Sequence, residues 1–205
     1  MLIAELLKFD EINKRYFGEM ELSNIEIQRR IVVAKNLFRL LVPFFEKQKE
    51  SKRIDPGMFV IMLDLYMEQL VEIYKDSTTT RYDSWANEHA EKFAKDITEP
   101  TINWKRGNQN NAFSETRAKE IALNESNLFF NNKMHQEKKK RYEYHVWHAH
   151  RDESTREAHY LADGQVRPIN EPFDIGGYKM MYPMDGTYGT PPEMIVNCRC
   201  IESFR

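Results

Sequence analysis

Residues 141–164 read RYEYHVWHAHRDESTREAHYLADG. The hydrophobic rhythm changes within this stretch. Tyr142, Tyr144 and Val146 alternate with Glu143, His145 and Trp147, a period of two that predicts a β-strand. Asp152 then stands where a helix N-cap belongs, ahead of the run Thr155 to Leu161, and Gly164 follows as a stop. A strand and a short helix in succession, at the end of an otherwise helical chain, predict an α+β fold. A helical N-terminal region leads into a small, loop-rich domain with a short antiparallel sheet.

Upstream, the period is helical. Leu2, Leu6, Phe9 and Ile12 share a face. Ser23 and Asn24 cap a second helix through Ile27, Ile31, Ala34, Phe38 and Leu41, and Pro43 is expected to kink or end it. Asp55-Pro56 opens a third helix to Tyr74. It is apolar over much of its circumference and is the candidate surface for a partner. Asp83 caps another, with Trp85, His89 and Phe93 at i, i+4 and i+8. The polar stretch Lys105 to Asn111 marks the internal boundary, so the expected regions are 1–104 and 112–205. Ser114 caps the next helix, Glu115 to about Gln136. Downstream of Gly164 the chain is rich in Pro and Gly, and Ile195 to Ile201 reads as a last strand.

The chain has 205 residues, is 41% hydrophobic and carries a net charge of −2, so it has the means to bury a core but no global attraction to nucleic acid. Charge is unevenly spread. Lys105 to Arg141 holds 9 basic and 4 acidic residues, whereas both flanking segments are net acidic. Lys133, Lys138, Lys139, Lys140 and Arg141 are the candidate phosphate-facing residues; the competing reading is a solvated helix end that the macrodipole favours. The two cysteines form no disulfide framework and suit a reducing cytoplasm. The N-terminus has acidic residues within its apolar stretch and no signal-peptide pattern, and no apolar run is long enough for a bilayer.

Three constellations carry possible chemistry. Asp152, Arg156 and His159 are spaced to share a helix face and to act on a phosphate or amide; the favoured reading is an N-cap, an ion pair and a packed histidine. Cys198 and Cys200 flank Arg199, and strand alternation puts both thiols on one side. With His148, His150 or His159 they are candidates for zinc; the favoured reading is two small buried hydrophobes. His145, His148 and His150 form a histidine cluster, read as ordinary imidazoles on a partly exposed edge.

The order of residues Tyr144, Trp147, Asp152, Thr155, Arg156, His159, Asp163 and Gly164 resembles the middle of the phage head-morphogenesis domain, the family of Mu-F-like minor head proteins. Pro183-x-Asp185, Pro192-Glu193 and Asn197-Cys198-Arg199-Cys200 resemble its end, and Arg117 to Glu125 its leading helix. The resemblance spans roughly residues 117–205. It implies a minor head protein inside the capsid near the portal, made in the host cytoplasm. Its implied partners are the portal protein, the major capsid or scaffold protein, and double-stranded DNA held without sequence preference, with no membrane. The implied roles are head assembly and DNA packaging or ejection. The family brings no catalytic residues. Trp147, Asp152, Arg156, His159, Asp185, Asn197, Cys198, Arg199 and Cys200 are therefore read as a structural signature. In this reading Arg156 pairs with Asp152 or Asp185, and the Asn197 amide ties a loop to the strand. No cofactor is required, zinc being the one candidate. The rival is a metal-dependent nuclease or hydrolase built on Asp152, His159 and Cys198/Cys200.

Overall fold

The computed structural model describes residues 3–50, 57–74, 88–97 and 113–205. Five long helices come first: α1 (Ile3–Gly18), α2 (Asn24–Glu50), α3 (Met58–Tyr74), α4 (88–97) and α5 (Glu115–Lys138). Then follow β1 (Tyr144–His148), α6 (Glu157–Leu161), β2 (Val166–Pro168), β3 (Phe173–Ile175), β4 (Tyr178–Met180), α7 (Pro192–Ile195) and β5 (Ile201–Phe204). The α+β reading holds. Asp55-Pro56, Asp83, Trp85 and the boundary stretch Lys105 to Asn111 lie outside the described residues.

The caps form as their residue types dictate. The Ser23 N–H donates to Glu26 Oε2 at 3.0 Å and the Glu26 N–H to Ser23 Oγ at 3.3 Å, a reciprocal capping box. Ser114 Oγ accepts the Arg117 N–H at 3.0 Å. Pro43 does not break α2, which runs on to Glu50. Leu41, Val42, Phe44 and Phe45 are all buried around it, and that burial outweighs the one hydrogen bond that proline removes.

Two compact units are present. The first comprises Met1–Asn13 and Val32–Ala122. Its described core stacks Phe9 on Phe38 (centroids 4.1 Å apart) and Tyr66 on Phe93 (3.8 Å). Along α3, Met62 and Tyr66 are buried, while Phe59, Val60 and Ile61 are exposed.

The second unit comprises Lys14–Ile31 and Leu123–Arg205. Its sheet has the order β2-β1-β5, all antiparallel, and β3-β4 forms a separate hairpin. Since β1 is the central strand, its inward side chains His145 and Trp147 are fully buried. His145 is thus a core residue and not part of an exposed edge, because Phe173 (ring centroids 4.0 Å apart) and His135 of α5 (5.4 Å) cover its face of the strand. Trp147 packs with Phe173, Ile175, Met180, Met184, Cys198 and Cys200 in one apolar cluster.

The last strand begins later than expected. Residues 192–195 form α7, Asn197 adopts φ 58°, and β5 starts only at Ile201. Pro191-Pro192 starts a helical turn, since proline suits the first helical position, and the left-handed residue that follows prevents pairing until the chain has straightened.

Candidate functional site

The site is built where the Asn197–Cys200 segment passes between α5, α6 and the loop after β1. Three asparagines of α5, at positions 124, 127 and 131, lie on one helical stripe and reach this segment and the turn before it. The Asn197 N–H donates to Asn124 Oδ1 at 2.6 Å. Asn127 Nδ2 donates to the Cys198 carbonyl at 2.9 Å, and Asn131 Nδ2 to the Pro183 carbonyl at 3.0 Å. Arg30, 1% exposed, holds the stripe in place: its Nη1 donates to Asn127 Oδ1 at 2.6 Å and its Nη2 to Asn131 Oδ1 at 3.2 Å. Burial pulls its guanidinium down to about 10, with Glu26 and Tyr16 opposing. Tyr16 Oη donates to the Cys198 carbonyl at 3.4 Å.

Cys198 and Cys200 point inward and Arg199 outward, as alternation predicts, although the segment is extended coil rather than strand. Arg199 Nη1 donates to Glu19 at 2.7 Å, and its Nη2 to Ser154 Oγ at 2.7 Å and to Asp152. Asp152 caps no helix. Its Oδ1 accepts the Ser154 N–H at 3.0 Å and the Thr155 hydroxyl at 3.0 Å, a turn closed by an aspartate side chain. Burial opposes ionisation there, but donation from Ser154, Arg199 and Thr155 outweighs it and holds the carboxyl well below its ordinary range. The helix after it, α6, has only five residues, with Arg156 at its N-cap.

Arg156 does not pair with Asp152 or Asp185. It donates to the Val196 carbonyl, one residue before Asn197. Asp185 is 1% exposed and accepts the N–H groups of Met181 and Thr187, each at 2.9 Å, which closes its own turn. Asp152, Arg156 and His159 therefore converge on one segment, residues 196–200, without bonding to one another.

His159 reaches the cysteines. Its Nδ1 lies 3.4 Å from Cys200 Sγ and 3.5 Å from Cys198 Sγ. The Trp147 indole meets the imidazole edge to face at 5.6 Å, and Nε2 is buried with no hydrogen-bond partner among the described residues. The Cys198 side chain and His159 hold Cys200 below the ordinary thiol range, and the same contact, with burial, pushes Cys198 up. A small cleft lined by His150, Arg156, His159 and Asn197 opens beside the sulfurs, with room for about one water (20 Å³).

A comparison with protein-family models matches residues 77–202 to the family described as Phage Mu protein F like protein. The chain belongs to this family. It is thus a bacteriophage protein of head morphogenesis, and the matched region extends forty residues further upstream than Arg117, through α4. No curated protein and no solved structure matches the chain.

Among the described residues of this Mu-F-like chain, two groups of side chains could hold an ion: His159, Cys198 and Cys200, and also His135, His145 and Glu202. In the second group both imidazoles share one carboxylate oxygen, with Nδ1 to Glu202 Oε2 at 3.2 Å from His135 and 3.0 Å from His145. Burial pushes the Glu202 carboxyl up and lowers His135 to about 3. His148 and His150 do not join either group: His148 Nε2 bonds Ser203 Oγ at 2.6 Å and His150 pairs with Asp152 at 3.4 Å.

The basic run is only partly at the surface. Lys133 is 7% exposed, because it falls on the inner face of α5 with Ala122, Ser126 and Phe129. Lys138 lies over the Tyr142 ring at 5.7 Å, and Lys139, Lys140 and Arg141 are exposed. No helix among the described residues is long and apolar enough to cross a membrane.

Sequence reading did not find Arg30, Glu19 or Glu202. The signal for the asparagine stripe was present: Asn124, Asn127 and Asn131 recur at i, i+3 and i+7, on the side of α5 opposite Ala118 and Ala122.

Proposed function

We propose that this protein is a minor head component that sits inside the capsid at the portal and supports head assembly and DNA packaging or ejection. Family membership carries the reading, since the match covers more than half of the chain. Two surface features support the finer parts. Lys139, Lys140 and Arg141 form an exposed cationic corner suited to phosphates and blind to sequence. The exposed Phe59, Val60 and Ile61 of α3 supply apolar surface of the kind a protein partner covers, here the portal, the major capsid protein or a scaffold.

The experiment is quantitative mass spectrometry of purified particles before and after DNA release, normalised to the portal protein. A few copies per particle, in constant ratio to the portal or falling as DNA leaves, is the expected result; a fixed ratio makes the protein an assembly adaptor and a fall makes it part of ejection. Absence from particles would overturn the proposal. For the DNA-facing corner, charge reversal of Lys139, Lys140 and Arg141 to Glu is expected to weaken binding to duplexes of unrelated sequence equally. It should also flatten the salt dependence by about one unit of slope for each phosphate no longer neutralised.

A further inference from the structure

We infer that His159, Cys198 and Cys200 bind one zinc ion, which clamps the Asn197–Cys200 segment to α6 and the loop after β1. Zinc sits about 2.3 Å from thiolate sulfur and about 2.0 Å from imidazole nitrogen, so tetrahedral geometry puts sulfur and nitrogen ligands about 3.5 Å apart. The observed separations from His159 Nδ1 are 3.4 and 3.5 Å. One nitrogen placed almost equally between two sulfurs suits a single ion better than a single proton, which can serve only one of them.

The surroundings match a metal–thiolate centre. The ligands are 2% exposed, and the Trp147 indole fixes the ring that presents Nδ1. Two thiolates and a neutral imidazole balance the charge of a divalent ion, so the buried centre carries no net charge. Soft sulfur with imidazole selects zinc over magnesium or calcium.

The fourth position is left to one water. The adjoining cleft has space for about a single water molecule (20 Å³), and none of the residues lining it is a carboxylate. With room for one water and none for a substrate, and with the nearby Asp152 carboxylate taken up by Arg199, Ser154 and Thr155, the ion is structural. Its effect is to cross-link the Asn197–Cys200 segment to α6 inside the apolar cluster that already holds them together. The assignment is independent of the portal and DNA roles proposed above.

The test uses the full chain, purified without chelator from zinc-supplemented cells. Elemental analysis is expected to find one zinc per chain, and cobalt(II) exchange is expected to give the near-ultraviolet thiolate charge-transfer absorption with intense tetrahedral ligand-field bands. Cys198→Ser, Cys200→Ser and His159→Phe should each lose the stoichiometric metal, while His148→Ala, which lies outside the cluster, keeps it. Because a ligand variant could fail to fold, chelation of the wild-type chain supplies a second reading: its melting temperature should fall, and restored zinc should recover it. A chain without zinc and without the cobalt–thiolate band overturns the assignment. So does full zinc content in Cys198→Ser, which would move the ion to the His135, His145 and Glu202 cluster.

Discussion

Asn124 and Asn197 hold each other through both side chains and one backbone group. The Asn197 N–H donates to Asn124 Oδ1 at 2.6 Å, and Asn124 Nδ2 donates to Asn197 Oδ1 at 3.3 Å. Asn197 does this at φ 58°, a left-handed conformation that asparagine tolerates better than other side-chain-bearing residues. The segment that carries both cysteines is therefore entered through a turn locked to α5.

This pair can be separated into backbone and side-chain parts. Asn197→Gly keeps the turn accessible and removes only the side-chain amide bond, so it should cost about 1 kcal/mol in urea unfolding. Asn197→Ala adds left-handed strain and should cost about 1–2 kcal/mol more. Equal losses in the two variants would show that the backbone conformation contributes nothing.

Arg30 is the buried donor on which the asparagine stripe depends. Arg30→Ala leaves Asn127 and Asn131 without the partner that orients them and opens a void beside Phe130, over which the guanidinium sits at 5.3 Å. A loss of about 3 kcal/mol or more is expected. The check is chemical denaturation, with unchanged slope and a lower midpoint.

Gly176 is held to glycine by space as well as conformation. Its φ is +62°, and a Cβ there would meet the Ala158 Cβ at 2.8 Å. Gly176→Ala should destabilise by about 2–4 kcal/mol. The compensating Ala158→Gly in the same chain should recover the steric part and not the conformational part, which calorimetry of the double variant would read.

The pH dependence follows from His135, His145 and Glu202. Burial lowers His135 to about 3, with His145 and Lys139 adding to it, whereas an unfolded histidine titrates near 6.5. The unfolded state thus takes up the proton first as pH falls. Stability present above about 6.5 is lost towards pH 3, at up to about 1.4 kcal/mol per pH unit for one proton. Glu202 has the opposite sign: its carboxyl is raised, so its contribution is present in acid and is lost as pH rises through that raised value. His135→Phe should flatten the acid limb, and Glu202→Gln should flatten the decline at higher pH. Denaturation midpoints measured across pH 4 to 9 (a range of about five units) would show both. An unchanged acid limb in His135→Phe would reject the assignment.

The sequence by itself determined the parts that depend on local pattern. The helix caps at Ser23 and Ser114, the strand around Val146, the stop at Gly164 and the sidedness of Cys198, Arg199 and Cys200 were legible because each rests on residue type and spacing. The ordered signature from Tyr144 to Cys200 likewise placed the chain in its family. Tertiary structure decided what local pattern cannot express. Pro43 stays inside α2 because apolar burial around it outweighs a missing hydrogen bond. His145 is buried because His135 of α5 and Phe173 cover its face of β1, and those contacts are long-range. Lys133 turns inward through the rotation of α5. His159, and not His148 or His150, meets the two sulfurs because a turn closed by Asp152 sets the direction in which α6 leaves the sheet. Those contacts join residues up to 182 positions apart, as between Tyr16 and Cys198, and only the folded chain brings such groups into reach.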